Sequence, residues 1–255
     1  MLRILGDIRR EVNWQLKRLL PFSPRIPARI ERDLLALAET FESGQQERFQ
    51  SLASTYELKT WPLGGEDKEI QWNLSVLDVL DQHVDPSSGP PGSLDVGSRH
   101  WGYLPALVSF RPGPWLGVEV DGNQRYLNGN TRAQVARAHA ERVDGATYRV
   151  GCVTEVQETF GLITWFLPFV TEEPMLCSGL PRRLYQPEAL LEHVWSLVAE
   201  GGALMVTNLE EEEAQVQEEL FRRASIPSRS LGPLQSVWPA YDKERYGWFA
   251  RKEKG

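Results

Sequence analysis

Ser93-Leu94-Asp95-Val96-Gly97-Ser98-Arg99-His100-Trp101-Gly102, read with Trp115-Leu116-Gly117-Val118-Glu119-Val120-Asp121, decides the fold. The first stretch reads as a short apolar strand that enters a glycine turn and then a helix. The second reads as another apolar strand that ends in acid. Glu119 lies 22 residues after Gly97. A nucleotide-binding βαβ unit has this layout. Glycine lets the backbone approach a ligand, the following helix offers free N–H groups, and an acid at the tip of strand two can hold ribose hydroxyls.

Downstream, strands and helices alternate. Strand one covers 93–96 and is followed by a helix over 103–110. Strand two covers 115–120, followed by a helix over 130–142. Strand three is 147–153 and strand four is 162–166. A helix over 187–198, strand five at 203–207 and a helix over 210–224 complete the series. Strands separated by helices pair in parallel through right-handed crossovers. The tail differs, because 230–238 and 246–250 are apolar segments without a long helix between them. They read as an antiparallel hairpin.

Upstream, residues 2–20 form a helix with Leu5, Ile8, Val12, Leu16 and Leu19 at helical spacing and basic residues between them. Pro21, Pro24 and Pro27 forbid its continuation. A helical stretch over 30–58, broken near Ser43-Gly44, leads to a turn at Trp61-Pro62-Leu63-Gly64-Gly65. A helix over 68–83 follows. The Pro/Gly/Ser-rich segment 86–92 reads as a linker between an all-helical N-terminal cap, 1–85, and a strand–helix domain, 93–255.

The motifs resemble those of class I, Rossmann-like S-adenosylmethionine (SAM)-dependent methyltransferases. Asp95-Val-Gly97 is similar to their first motif and Gly117-Val-Glu119 to their second. Phe160-Gly-Leu-Ile-Thr-Trp-Phe-Leu-Pro168 resembles their fourth strand and the substrate-facing loop after it. Leu197 to Asn208 resembles their pre-strand turn and fifth strand. The resemblance spans roughly residues 90 to 252. It implies a mostly parallel sheet with an antiparallel C-terminal hairpin, flanked by helices, and SAM as the cofactor.

The resemblance places Asp95, Gly97, Ser98, Arg99, Gly102, Glu119, Val120, Cys152, Val153 and Thr164 around SAM. Asp95 matches the acid that helps hold the methionine end; otherwise it caps a turn. Gly97 has positive φ or lies close to the ligand. Glu119 accepts from the ribose hydroxyls, with Asp121 as its competitor. The family loop runs Asp-x-Gly-x-Gly-x-Gly, and here Arg99 and Trp101 stand at the second and third glycines. Gly102 replaces the third only in a loop one residue longer. Many members carry an acid after strand three; this chain has Gly151-Cys152-Val153.

After strand four, Trp165, Phe166 and Pro168 give an apolar wall for a substrate, or for Trp165, equally, plain core packing. The loop lacks the Asn or Asp of the amino-methylating members, which argues against methylation of an exocyclic amine. His100 and Tyr103 are the candidate catalytic side chains. His139 and His193 are expected on the surface, and no histidine spacing suggests a metal site. The run Asn208-Leu-Glu-Glu211 reads as an N-cap with acid in the first turn, and Glu210 to Glu213 as a solvated helix start. Trp14, Trp61 and Trp72 belong to the core or to a substrate pocket.

Composition sets the outer bounds. The chain has 255 residues, of which 41% are hydrophobic and 25% charged, as in soluble globular proteins. A net charge of −7 argues against a nucleic-acid partner. Eight Lys/Arg against three Asp/Glu fall in residues 1–32, so the remainder is clearly acidic. The two cysteines, Cys152 and Cys177, form no disulfide framework and fit a reducing compartment, with the cytoplasm as the default. The longest largely apolar run, Leu162 to Val170, is too short to span a bilayer. The basic helix 2–20 has two readings: docking on an anionic surface, either membrane or nucleic acid, or packing on the core as part of a cap over the substrate side, with its charges in water.

The leading expectation is a SAM-dependent methyltransferase acting on a small or medium-sized molecule at oxygen, carbon or sulfur. Methyl transfer would run mainly on proximity and orientation. The alternative is a catalytically altered methyltransferase-fold protein that serves binding or assembly. A nicotinamide-dependent oxidoreductase requires Gly-x-Gly-x-x-Gly, which the turn lacks. A P-loop is excluded because Tyr103-Leu104 follows Gly102.

Overall fold

The computed structural model describes residues 2–19, 26, 30–63, 67–238 and 242–255. Pro21, Pro24, Pro27 and the Gly64-Gly65 part of the expected turn lie outside the described residues. Seven strands form one sheet: β3 (Ser93–Val96), β4 (Trp115–Glu119), β5 (Ala146–Val150), β6 (Phe160–Phe166), β7 (Val198–Leu209), β8 (Ser228–Pro233) and β9 (Arg245–Arg251). Their order is β5-β4-β3-β6-β7-β9-β8. From β5 to β7 every pairing is parallel. β9 pairs antiparallel with both β7 and β8, which gives the expected hairpin.

The strand order reverses direction between β3 and β6, and ligands of open α/β sheets bind beyond the carboxyl ends at such a point. The central strands alternate in what they face, as a period of two requires. Leu162, Ala203 and Met205 join a core on one side of the sheet. Leu94, Val96, Ile163, Leu204 and Val206 join a core on the other.

The first side is covered by α4 (Asp67–His83) and α5 (Leu104–Phe110), through Leu74, Leu77, Leu80, Leu104 and Leu107. The second is covered by α8 (Pro187–Ser196) and α9 (Glu210–Arg223), through Leu191, Val194, Leu220 and Phe221. Four glutamates open α9 and Arg222 and Arg223 close it, matching the helix dipole. α6 (Arg132–Ala140) starts on a reciprocal capping box between Thr131 and Gln134.

The front third is not all-helical. β1 (Ile30–Asp33) pairs antiparallel with β2 (Thr60–Leu63) as a separate ribbon. Four residues per strand are too few for an alternating pattern to compete with the helical one around them. Asp33 ends β1 and at once caps α2 (Leu34–Ala38) by accepting from the amides of Leu35 and Ala36. The expected helix break at Ser43-Gly44 is the start of α3 (Ser43–Thr55). Phe49, Leu52, Trp61 and Leu74 share one continuous core with Trp101, Leu104 and Trp115. The segment at 86–92 is held against the sheet domain, since Arg111 donates to the carbonyls of Ser88 (2.5 Å) and Pro90 (2.6 Å).

The first helix, α1 (Leu2–Leu19), does not pack on the core through its apolar stripe with its charges in water, the second of its two readings. Its aliphatic stripe faces outward and its charged side meets the protein. Trp14 is buried against Met175 and Leu180, near α7 (Glu172–Cys177). Charge pairing and one indole, rather than the stripe, hold the helix in place.

Candidate functional site

The loop after β3 sits at the strand-order switch. Its backbone is left-handed at Gly97 (φ 69°), Arg99 (φ 51°) and Trp101 (φ 55°). These are the three positions matched to the glycines of the resemblance. Gly102 does not take a left-handed φ, so it does not replace the third glycine; Trp101 itself adopts that conformation. A side chain in this region costs roughly 1–2 kcal/mol per residue, so the surrounding structure must enforce the loop.

Three contacts do so. The Arg99 amide donates to Glu119 Oε2 at 2.9 Å. The Tyr148 hydroxyl donates to the Arg99 carbonyl at 2.6 Å. The Trp101 indole is fully buried and fills the notch left by Gly117. In addition, the amides of Gly97 and Ser98 donate to the Val118 carbonyl, at 2.8 and 3.2 Å.

Glu119 is the hub. Its Oε1 accepts from the Asp121 amide at 2.6 Å, and Arg132 approaches it at 3.8 Å. It is buried from bulk solvent yet lines the cavity beside Gly97 and Arg99. Asp121 does not line that cavity. It turns toward Lys17 (3.5 Å) and Arg132 (3.4 Å), and burial raises its pKa against the pull of both cations.

The cavity measures about 280 Å³, close to the lower end of small-molecule sites. Val120, Cys152 and Val153 form its wall on the side of Glu119. Trp165, Phe166 and Pro168 form the wall beyond β6. It continues past Met175 and Leu180 to Glu213 and Gln217 on α9.

Asp95, Thr164 and Tyr103 form a buried cluster outside the cavity. Asp95 accepts from Thr164 Oγ1 (2.6 Å) and from the Tyr103 hydroxyl (2.7 Å). Burial pushes its pKa up to about 7, against those hydrogen bonds. The parallel register sets Asp95 opposite Thr164, on the face that α5 covers. Ser98 is also fully buried, and Gly102 is buried with its carbonyl accepting from Asn73 at 2.9 Å. His100 packs between Trp72 (tilted rings, 5.8 Å) and Tyr126 (edge-on, 5.9 Å), and does not line the cavity.

Further residues lie elsewhere than the sequence suggested. His139 is buried, and His193 bonds from α8 to the carbonyls of Val153 and Val156. Neither is a free surface histidine; the first is buried on α6, and the second ties α8 to the turn after β5. Asn208 does not cap α9. Its side chain is fully buried without a hydrogen-bond partner among the described residues, while Glu213 accepts from the Leu209 amide at 3.0 Å. Burial raises the pKa of Glu213. Trp14 and Trp61 are buried in the core, and Trp72 packs against Tyr103.

Sequence reasoning missed Arg132, Glu213 and Gln217 in the cavity wall. Arg132 stands directly after the capping Thr131, so its signal was a cation in the first turn of the helix after strand two. Gln217 had a signal too, as a polar residue on the apolar face of α9 beside Leu220.

No protein-family model matches the sequence, and no curated protein matches it. Solved structures do match the fold. A SAM-dependent methyltransferase from Aquifex aeolicus aligns over 72% of this chain and 93% of its own, at 14% identity and a TM-score of 0.51. The [4+2]-cyclase SpnF aligns over 71% of this chain and 80% of its own, at 12% identity and a TM-score of 0.51. The chain therefore has the class I, Rossmann-like methyltransferase fold. These two neighbours have different names for their reactions, so the fold does not decide the chemistry.

Proposed function

We propose that the chain binds SAM in this cavity and methylates a small or medium-sized, largely apolar molecule at oxygen, carbon or sulfur. One observation carries the reading: all three glycine-matched positions hold left-handed backbone although two bear Arg and Trp. Strain kept at a loop is expected where the loop's shape serves a ligand.

The residues fit the cofactor. Gly97 leaves the backbone open at the tip of β3. Two amides take two of the roughly four acceptor sites of the Glu119 carboxylate, which leaves capacity for ribose hydroxyls on the cavity side. Val120, Cys152 and Val153 give a wall suited to a purine. Bound SAM supplies an electrophilic methyl group on a sulfonium. The chain's own task is then positioning and exclusion of water. Trp165, Phe166 and Pro168 provide the dry wall, and Glu213, with its raised pKa, is placed to hold or accept a proton from an acceptor hydroxyl or thiol. His100 and Tyr103 are not proposed as catalytic, since neither lines the cavity.

Calorimetric titration with SAM and S-adenosylhomocysteine tests this. The folded protein is expected to bind at least one of them, and Glu119→Gln, which keeps an acceptor for the Arg99 amide, to bind about tenfold more weakly, as for a lost charged hydrogen bond. Absence of binding by the folded parent would overturn the reading and favour a binding or assembly role for a catalytically altered fold.

A further inference from the structure

Ile4, Leu5, Ile8, Val12, Leu16 and Leu19 are each at least half exposed along α1. At 100° per residue they fall within one third of the helix circumference. The opposite side docks on the protein: Asp7 pairs with Arg182 (3.4 Å), Glu11 with Arg183 (3.1 Å) and Lys17 with Asp121 (3.5 Å), around buried Trp14. Both acids of the helix are thus paired to arginines of the body. Arg3, Arg9 and Arg18 are exposed and have no ion-pair partner among the described residues. The uncompensated charge of the helix is therefore entirely positive, next to a contiguous aliphatic stripe.

We infer that α1 is a membrane-surface helix that seats this stripe in the interface of a bilayer rich in anionic lipid. An aliphatic face with arginines at its border matches such an interface in both hydrophobicity and charge. Nucleic acid would use the arginines but leave the stripe in water. A second copy of α1 would cover the stripe but bring like charges together. No described helix is long and apolar enough to cross a membrane, so the contact lies in the plane of the interface. Trp14 on the inner side touches Met175 and Leu180, which line the cavity. The bilayer would thus lie about one helix diameter, ~10 Å, from the cavity wall.

Flotation of the full chain with phosphatidylcholine vesicles, with and without phosphatidylglycerol, tests this. Binding is expected to the phosphatidylglycerol vesicles and to weaken with added salt. Arg9→Gln and Arg18→Gln should each weaken it about fivefold. The combined variant Leu5→Ser, Ile8→Ser, Val12→Ser, Leu16→Ser should weaken it at least tenfold with an unchanged near-ultraviolet circular dichroism spectrum, because these side chains are exposed in the fold. The inference is overturned if the parent ignores both vesicle types, or if the fourfold variant floats like the parent. It is equally overturned if the parent stays off vesicles and forms dimers in light scattering that the fourfold variant abolishes.

Discussion

The Trp101 indole occupies the space that a side chain at position 117 would need. A Cβ on Gly117 would lie 2.9 Å from the ring carbons of Trp101, and Trp101 is fully buried with no room to retreat. This one contact joins the third glycine-matched position to the middle of β4, one turn of the pleat before Glu119. Gly117→Ala is therefore expected to lower the free energy of unfolding by about 1–3 kcal/mol, the usual cost of overpacking. In a Trp101→Leu background the same Gly117→Ala change should cost about 1 kcal/mol less, the coupling between the two sites. Urea denaturation of the four proteins of the cycle measures it. Additive effects would mean that the indole does not set the loop.

Arg99 tests the strain directly. Arg99→Gly removes a left-handed side-chain penalty of roughly 1–2 kcal/mol and adds about 0.5–1 kcal/mol of glycine backbone entropy. Arg99→Ala keeps the penalty. The glycine variant should accordingly be about 1 kcal/mol more stable than the alanine variant by urea titration. Equal stabilities would show that residue 99 relaxes out of the left-handed region.

The sheet was legible because its strands are short apolar runs between glycine turns and amphipathic helices, and each such run has one way to pair. Gly97 and Glu119 were legible because spacing alone sets them at adjacent strand tips. Asp95 and Thr164 read as SAM contacts and Tyr103 as a catalytic candidate, whereas the three side chains meet one another in a buried cluster outside the cavity. A one-residue alternation decides between the cavity and the buried cluster, and the resemblance does not resolve it. The ribbon β1–β2 was hidden by its length. The orientation of α1 was hidden for a different reason: periodicity locates an apolar stripe, but which face meets the protein depended on Arg182 and Arg183, more than 160 residues away.

Asp95 makes stability depend on pH with a definite sign. Its carboxyl ionises near 3.8 when unperturbed and near 7 in the folded chain, where burial holds it protonated. Between those values the folded protein keeps a proton that the unfolded chain has released, so this group's contribution falls as pH rises. It is fully present below pH 3.8 and flat above about 7. The slope is at most about 1.4 kcal/mol per pH unit. Asp95→Asn keeps partners for Thr164 and Tyr103 but cannot titrate. The stability of the parent relative to this variant should decline from pH 4 to about 7 and then level off. A difference constant across that range would mean that Asp95 is ionised in the fold.

Gln217 separates what the fold needs from what the cavity needs. It is buried on α9, it lines the cavity, and both polar atoms of its amide lack a hydrogen-bond partner among the described residues. An unsatisfied buried amide costs about 1–3 kcal/mol, and leucine fills a similar volume without that cost. Gln217→Leu should therefore raise the free energy of unfolding by about 1–3 kcal/mol. A residue kept for folding alone would not carry such a penalty beside Leu220. If the amide instead serves the ligand that fills this end of the cavity, the stabilised variant should lose affinity for that ligand while SAM binding near Glu119 stays unchanged. Two readings check it together: the urea midpoint should rise, and the calorimetric affinity for SAM should not move. A variant less stable than the parent would show that the amide is satisfied in solution and that Gln217 is part of the packing.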